Sequence, residues 1–228
     1  MAINLVKGQT IDLRKGDKGE SYDLSTVTIG LGWDVRKQSS GGFLGKFLGG
    51  AKKEEEYDLD AIAFLLDSND KVVNLGRSLQ TSDGRTMSMF EGDVIFFNSQ
   101  KHPSGHIWLT GDNRTGAGDG DDEQIIVKLD SLDTRYQKIL FVVSIYKGRQ
   151  NNQHFGMLDN AFIRAVDNSG KEIAKFSLSG ETAYNGMCTM VFAEVYRKDN
   201  TWKFRAIGDP HQTDSFVDIL KKYTNNNI

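Results

Sequence analysis

Gly111-Asp112-Asn113-Arg114-Thr115-Gly116-Ala117-Gly118-Asp119-Gly120-Asp121-Asp122-Glu123 carries five carboxylates and one arginine on a glycine-rich run. Like charges crowded on one loop repel unless a cation or solvent offsets them, and glycines let the backbone curl until several oxygens converge. Calcium suits such a set, because it takes about 6 to 8 oxygen ligands in loose geometry; magnesium suits it less. The stretch is not an EF-hand. With Asp112 and Glu123 as the ends of the window, Arg114 stands third and Ala117 stands where the sharp turn needs glycine. A window opened at Asp119 puts Gln124 at that place. Any site here is assembled from separate segments, and a solvated acidic turn is the plain alternative.

Tyr57-Asp58-Leu59-Asp60-Ala61-Ile62-Ala63-Phe64-Leu65-Leu66 is the second piece. As a strand it alternates, with Asp58, Asp60, Ile62, Phe64 and Leu66 on one side. Carboxylates at the mouth of an otherwise apolar face need a cationic partner, since burying them unpaired is costly or forces protonation. A metal at the rim is such a partner. Asp34, following Gly32 and Trp33, ends the preceding strand and is placed to reach the same rim, so the three pieces can form one site.

The elements that must hold these pieces are short runs rich in Val, Ile, Phe and Tyr, separated by Gly, Asn, Asp and Ser, the pattern of an antiparallel all-β protein. Candidate strands are 4–13, 27–34, 59–66, 94–97, 124–129, 138–146, 161–167, 172–177, 189–197 and 202–208, which implies two sheets in a β-sandwich. Asn168-Ser169-Gly170 and Lys198-Asp199-Asn200 read as tight hairpin turns. Phe216, Ile219, Leu220 and Tyr223 share one helical face behind Thr213 or Asp214 as cap, so a short C-terminal helix docks on a sheet. The 228 residues fit a single domain, 1–228, interrupted by a Gly-rich insertion at about 37–56. Phe43, Leu44, Phe47 and Leu48 in that insertion suit either a surface loop or a small docking element for a membrane surface or a partner.

A net charge of -3 argues against a nucleic-acid partner. The single cysteine, Cys188, has no disulfide partner and reads as a small core residue. The amino terminus lacks the pattern of a signal peptide, and no run is long enough to span a membrane, so a cytoplasmic, at most membrane-associated, protein is expected. His102 and His106 are separated by Pro103, Ser104 and Gly105, which removes them from a shared helix face and places them on a surface loop rather than in a zinc site. There is no nucleophile elbow and no phosphate-binding glycine loop. Trp33, Trp108 and Trp202 read as packing residues. The expectation is a protein that is not an enzyme.

The ordered set Val27-Thr28-Ile29-Gly30-Leu31-Gly32-Trp33-Asp34, Asp58-Leu59-Asp60-Ala61, Gly111-Asp112-Asn113-Arg114-Thr115-Gly116, Gly118-Asp119-Gly120-Asp121-Asp122-Glu123-Gln124-Ile125, Val143-Ser144-Ile145-Tyr146, Asn160-Ala161-Phe162-Ile163-Arg164 and Trp202-Lys203-Phe204-Arg205-Ala206-Ile207-Gly208 resembles the TerD family of tellurium-resistance and stress-response proteins. The resemblance covers nearly the whole chain outside the insertion. It implies a β-sandwich that binds calcium through acidic loops at one end and works with other proteins of a stress-response complex. Carried onto this chain, it implies ligands from Asp34, Asp58, Asp60, Asp112, Asn113, Asp119, Asp121, Asp122 and Glu123, with the carbonyls of Gly118 and Gly120 as additional candidates. The chain departs from the family pattern at Leu109, where histidine is common, and at Leu158-Asp159, where a basic residue is usual. The long insertion is a third departure.

Overall fold

The computed structural model describes residues 3–14, 21–35, 57–84, 86–110, 120–178 and 182–225. Its strands are β1 (Ile3–Leu5), β2 (Thr10–Asp12), β3 (Val27–Val35), β4 (Leu59–Leu66), β5 (Arg77–Gln80), β6 (Thr86–Phe90), β7 (Val94–Ile95), β8 (Ile107–Thr110), β9 (Glu123–Val127), β10 (Lys138–Ile145), β11 (Leu158–Val166), β12 (Glu172–Leu178), β13 (Thr189–Lys198) and β14 (Thr201–His211). Two short helices, α1 (Gly148–Asn151) and α2 (Phe216–Leu220), accompany them. The first sheet has the order β1-β12-β11-β3-β9-β8, the second β2-β14-β13-β10-β4-β7, and β5-β6 is a separate hairpin. Pairing is antiparallel except where β1 joins β12 in parallel. The expected two-sheet antiparallel sandwich with a short C-terminal helix is what the chain forms.

Alternation builds the core. Val27, Ile29, Leu31 and Trp33 of β3, Leu59, Ala61, Ala63 and Leu65 of β4, and Ile163 and Ala165 of β11 meet between the sheets. Ile62, Phe64 and Leu66 point the other way and join a smaller core on the outer side of the second sheet, with Ile219 and Leu220 over it and Phe216 and Tyr223 packed alongside. That smaller core is where the C-terminal helix docks. Its cap is not the one expected: the N-cap is Ser215, with no side-chain cap bond, and Thr213 Oγ1 instead donates to Asp218 Oδ2 at 2.7 Å. Cys188 is buried.

The segment 4–13 is not one strand. It splits at Lys7-Gly8, where Gly8 takes φ +85°, and β1 joins the first sheet while β2 joins the second. A backbone that must switch sheets needs a residue tolerant of positive φ, and Gly8 provides it.

One strand of each sheet ends in a matched turn. β4 lies in the second sheet beside β10 and is followed by Asp67; β11 lies in the first sheet beside β3 and is followed by Asp167. Asp67 Oδ1 accepts the backbone N–H groups of Asn69 and Lys71, at 2.8 and 2.9 Å. Asp167 Oδ1 accepts those of Ser169 and Lys171, at 3.0 and 2.9 Å. Asp70 and Gly170, each three residues on, both have positive φ. A short carboxylate that bonds the backbone two and four residues on stabilises a tight reversal, so one turn chemistry serves both sheets.

Candidate functional site: the acidic rim

β3 ends, and β4 and β9 begin, at one end of the sandwich, and consecutive carboxylates bind them together. The Asp122 N–H donates to Leu31 O at 2.7 Å, and Asp122 Oδ2 accepts the Trp33 N–H at 2.9 Å. β9 pairs with β3 only from Glu123 opposite Leu31, so the Asp122 side chain stands in for the next rung of the ladder. Glu123 reaches the other sheet and accepts the Ala61 N–H through Oε2. On that side of β4, β7 covers only Ala63 and Phe64, so the Ala61 N–H needs a partner that no strand offers. Asp122 and Glu123 are 8% and 4% exposed, so both bonds form away from water. A buried donor left unmade costs about 1–3 kcal/mol.

The carboxylate before them is held differently. On the outer face of the first sheet, Gly30 lies in register between Arg164 of β11 and Gln124 of β9. A Cβ at Gly30 would overlap the Asp121 carboxylate. Asp121 fills that gap, with Oδ1 accepting from Arg164 Nε at 2.8 Å and Oδ2 from Gln124 Nε2 at 3.1 Å. Its side chain is 2% exposed. Arg164 Nη1 also meets Glu172 at 3.0 Å. Asp121, through its bonds, and Glu172 raise the guanidinium pKa, against burial that lowers it. Gly32 has the same role one step along: a Cβ there would stand 2.7 Å from Gly120 O and 2.5 Å from the Phe162 ring. Gly30 and Gly32 therefore let the end of the acidic stretch lie flat on the sheet. Arg164, Gln124 and the glycine pair hold this part of the rim, and acidic side chains alone do not point to them, although alternating glycines inside a strand do signal close backbone approach.

Asp34 and Asp60 flank this rim. Asp34 follows the inward-facing Trp33, so it leaves the outer side of the first sheet, where its Oδ2 accepts from Asn160 Nδ2 at 2.8 Å. Asn160 has φ +53°, within an irregularity of the β11–β3 register between Asp159 and Phe162. Asp60 lies between inward-facing Leu59 and Ala61, opposite Ser144, and leaves the outer side of the second sheet. Asp58 precedes it, and its carbonyl accepts the Tyr146 N–H at 2.8 Å. Thus the residues next to Asp34 and Asp60 are tied to adjacent carboxylates, while the two aspartates themselves face opposite flanks.

Asp112, Asn113, Gly118 and Asp119, and the docking residues Phe43, Leu44, Phe47 and Leu48, lie outside the described residues. Among the described residues, no group of three or more His, Cys, Asp or Glu side chains stands together in a way that would hold a metal ion. No helix among them is long and apolar enough to cross a membrane.

His102 departs from the surface-loop expectation. It is 5% exposed, with Nε2 3.1 Å from Asp93 Oδ1 and Nδ1 accepting the Ser104 N–H at 3.1 Å. Tyr136 donates its hydroxyl to the same Asp93 oxygen at 2.7 Å, and the Asn74 N–H donates to the other at 2.8 Å. The ring is held by Asp93 and Ser104 and packs edge-on against Tyr136, at 5.7 Å between centroids, rather than lying in solvent. Burial raises the Tyr136 pKa, and the bond to Asp93 raises it further.

The TerD domain model matches residues 1–77 and 79–223 of this chain. The chain belongs to the TerD family. Among its TerD relatives, the tellurium resistance protein TerX of Serratia marcescens is 56% identical over 223 residues, 98% of this chain and 100% of that protein. The stress response protein SCP2 of Bacillus subtilis (strain 168) is 39% identical over 224 residues, again 98% of this chain and 100% of the relative. The fold is similar to the crystal structure of a TerD homologue from Streptomyces coelicolor A3(2), with a TM-score of 0.57 and 19% identity over 89% of this chain and 99% of that one. That likeness is one of fold.

Proposed function

We propose that this TerD-family chain is a cytoplasmic stress-response protein of the tellurium-resistance type, acting without catalysis, and that calcium bound at the acidic rim fixes that end of the sandwich. The observation that carries the reading is the pair of adjacent bonds from Asp122 to Trp33 and from Glu123 to Ala61, which brings the acidic stretch against the strand positions beside Asp34 and Asp60. The names of its relatives, a tellurium resistance protein and a stress response protein, support the cellular role.

The donor chemistry fits calcium unevenly. Asp121 has a side-chain partner on each oxygen and suits an anchor; Asp122 and Glu123 each commit an oxygen to a backbone N–H. The ligand role then falls on Asp112, Asn113 and Asp119, with the carbonyls of Gly118 and Gly120, and with Asp34, Asp58 and Asp60 on the flanks. When bound, the ion supplies positive charge that offsets the crowded carboxylates. Partner proteins of a stress-response complex would then meet an ordered rim.

The test is calorimetric titration of chelator-treated protein with calcium and with magnesium, repeated on Asp119→Ala, Asp60→Ala and Asp34→Ala. Calcium heat lost in Asp119→Ala supports the reading. No calcium heat in the parent protein, or heat that survives Asp119→Ala unchanged, refutes it. Because Asp34 and Asp60 face opposite flanks, separate losses in those two variants would count separate ions.

A further inference from the structure

We propose that Arg164 is the positioning residue of the acidic rim: it latches the end of the acidic stretch to the first sheet through Asp121, so cation affinity depends on a side chain that touches no cation. The affinity part of this inference rests on the calcium reading; the latch itself does not.

The geometry is a row of three residues across three strands. Gln124, Gly30 and Arg164 are neighbours in register, and the middle one has no side chain. Asp121 lies in the resulting gap and takes one bond from each neighbour, so both of its oxygens have fixed partners. The two sequence separations are 3 and 43 residues, so Gln124 holds Asp121 locally while Arg164 ties it to a distant strand. Arginine suits the position because its planar fork presents Nε to Asp121 and Nη1 to Glu172 at once, which a lysine ammonium on a single point cannot reproduce. At 29% exposure the guanidinium is within reach of solvent, whereas the Asp121 carboxylate is 2% exposed. Without Arg164, that carboxylate is a buried charge with one neutral donor, and moving out to water relieves it. Such a move pulls on the Asp122 N–H bond to Leu31, the next step along the chain. Residues that orient a ligand-bearing segment commonly change metal affinity by about 10- to 100-fold when replaced.

Two measurements on the full chain decide this. The first is amide hydrogen exchange at Asp122, with Ile125 as internal control for the fold. In Arg164→Gln the Asp122 amide is expected to exchange about tenfold faster, the change that loss of one charged hydrogen bond brings. Ile125 stays as in the parent, and Arg164→Lys falls between. An Asp122 amide unaffected by Arg164→Gln overturns the latch, whatever calcium does. Should Arg164→Gln disturb Ile125 as well, Arg164→Lys carries the comparison, and an Asp122 amide unaffected there is equally fatal. The second is calcium calorimetry, in which Arg164→Gln and Asp121→Asn are both expected to weaken uptake about tenfold. Complete loss in Asp121→Asn with none in Arg164→Gln would make Asp121 a ligand and overturn the proposal. If the parent protein takes up no calcium, the proposed function falls, while the exchange result still judges the latch.

Discussion

The Asp122 carboxylate accepts the Trp33 N–H at 2.9 Å, one rung beyond the point where β9 stops pairing with β3. A side chain there continues the work of a strand. Asp122 and Glu123, whose residue type suits metal binding, therefore have a structural duty to the backbone.

That duty gives the first prediction. Asp122→Ala leaves the buried Trp33 amide without its acceptor and is expected to lower stability by about 1–3 kcal/mol. Glu123→Gln keeps a carbonyl oxygen for the Ala61 N–H and should cost less than Glu123→Ala. Urea denaturation in the presence of chelator reads both, and an Asp122→Ala midpoint equal to that of the parent would remove the ladder-capping role.

Gly30→Ala is the second. The added methyl would occupy the space of the Asp121 carboxylate, which is pinned from both sides by Arg164 and Gln124. Overpacking of this kind costs about 1–3 kcal/mol. Gly170→Ala, at a turn with φ +82° and open space around it, is a control that strains the backbone without touching the rim. Thermal melts should show both destabilised, but only Gly30→Ala should quicken exchange at the Asp122 amide.

The third concerns pH. Burial pushes the Asp93 carboxyl up, but the bonds from His102, Tyr136 and the Asn74 N–H outweigh it, so its pKa is held below the usual carboxylate value. A group with a depressed folded-state pKa adds stability above its unfolded value and loses that contribution as pH falls through the folded one. Stability should therefore fall as the solution is taken below about pH 4, the ordinary aspartate range. Asp12, Asp67 and Asp167 are shifted the same way, so Asp93→Asn should flatten the acid limb in part and not abolish it. Tyr136→Phe removes one donor to Asp93 and should cost about 1.5–3 kcal/mol at neutral pH. Urea midpoints across an acid series check both.

The fourth separates a rim-fixing ion from a docking switch. If calcium only fixes the rim, sedimentation with anionic vesicles is the same in calcium and in chelator. Calcium-dependent sedimentation that disappears in Phe43→Ser/Phe47→Ser would assign docking to the insertion instead.

Much of the fold was legible beforehand because its signals are local. Alternation in Leu59–Leu66 and the paired turn residues Asp199 and Asn200, both at positive φ, depend on neighbours in the chain, and strands and hairpins formed where those residues stand. The 4–13 segment defeated the same reasoning. Its β-prone residues describe a strand equally well whether it stays in one sheet or passes from one to the other, and only pairing with β12 and β14 separates those outcomes.

By itself the amino-acid order determined that this is a two-sheet β-protein with an acidic stretch, and it placed Asp34, Asp58 and Asp60 near strand ends. Tertiary structure decided what each carboxylate does: Asp121 meets Arg164, Asp122 meets Trp33, and Glu123 crosses to Ala61. It also turned Asp34 and Asp60 to opposite flanks and buried His102 against Asp93 and Tyr136. The physical reason is that backbone conformation follows from short-range sterics and alternation, whereas the partner of a polar side chain is whichever group distant pairing leaves without one.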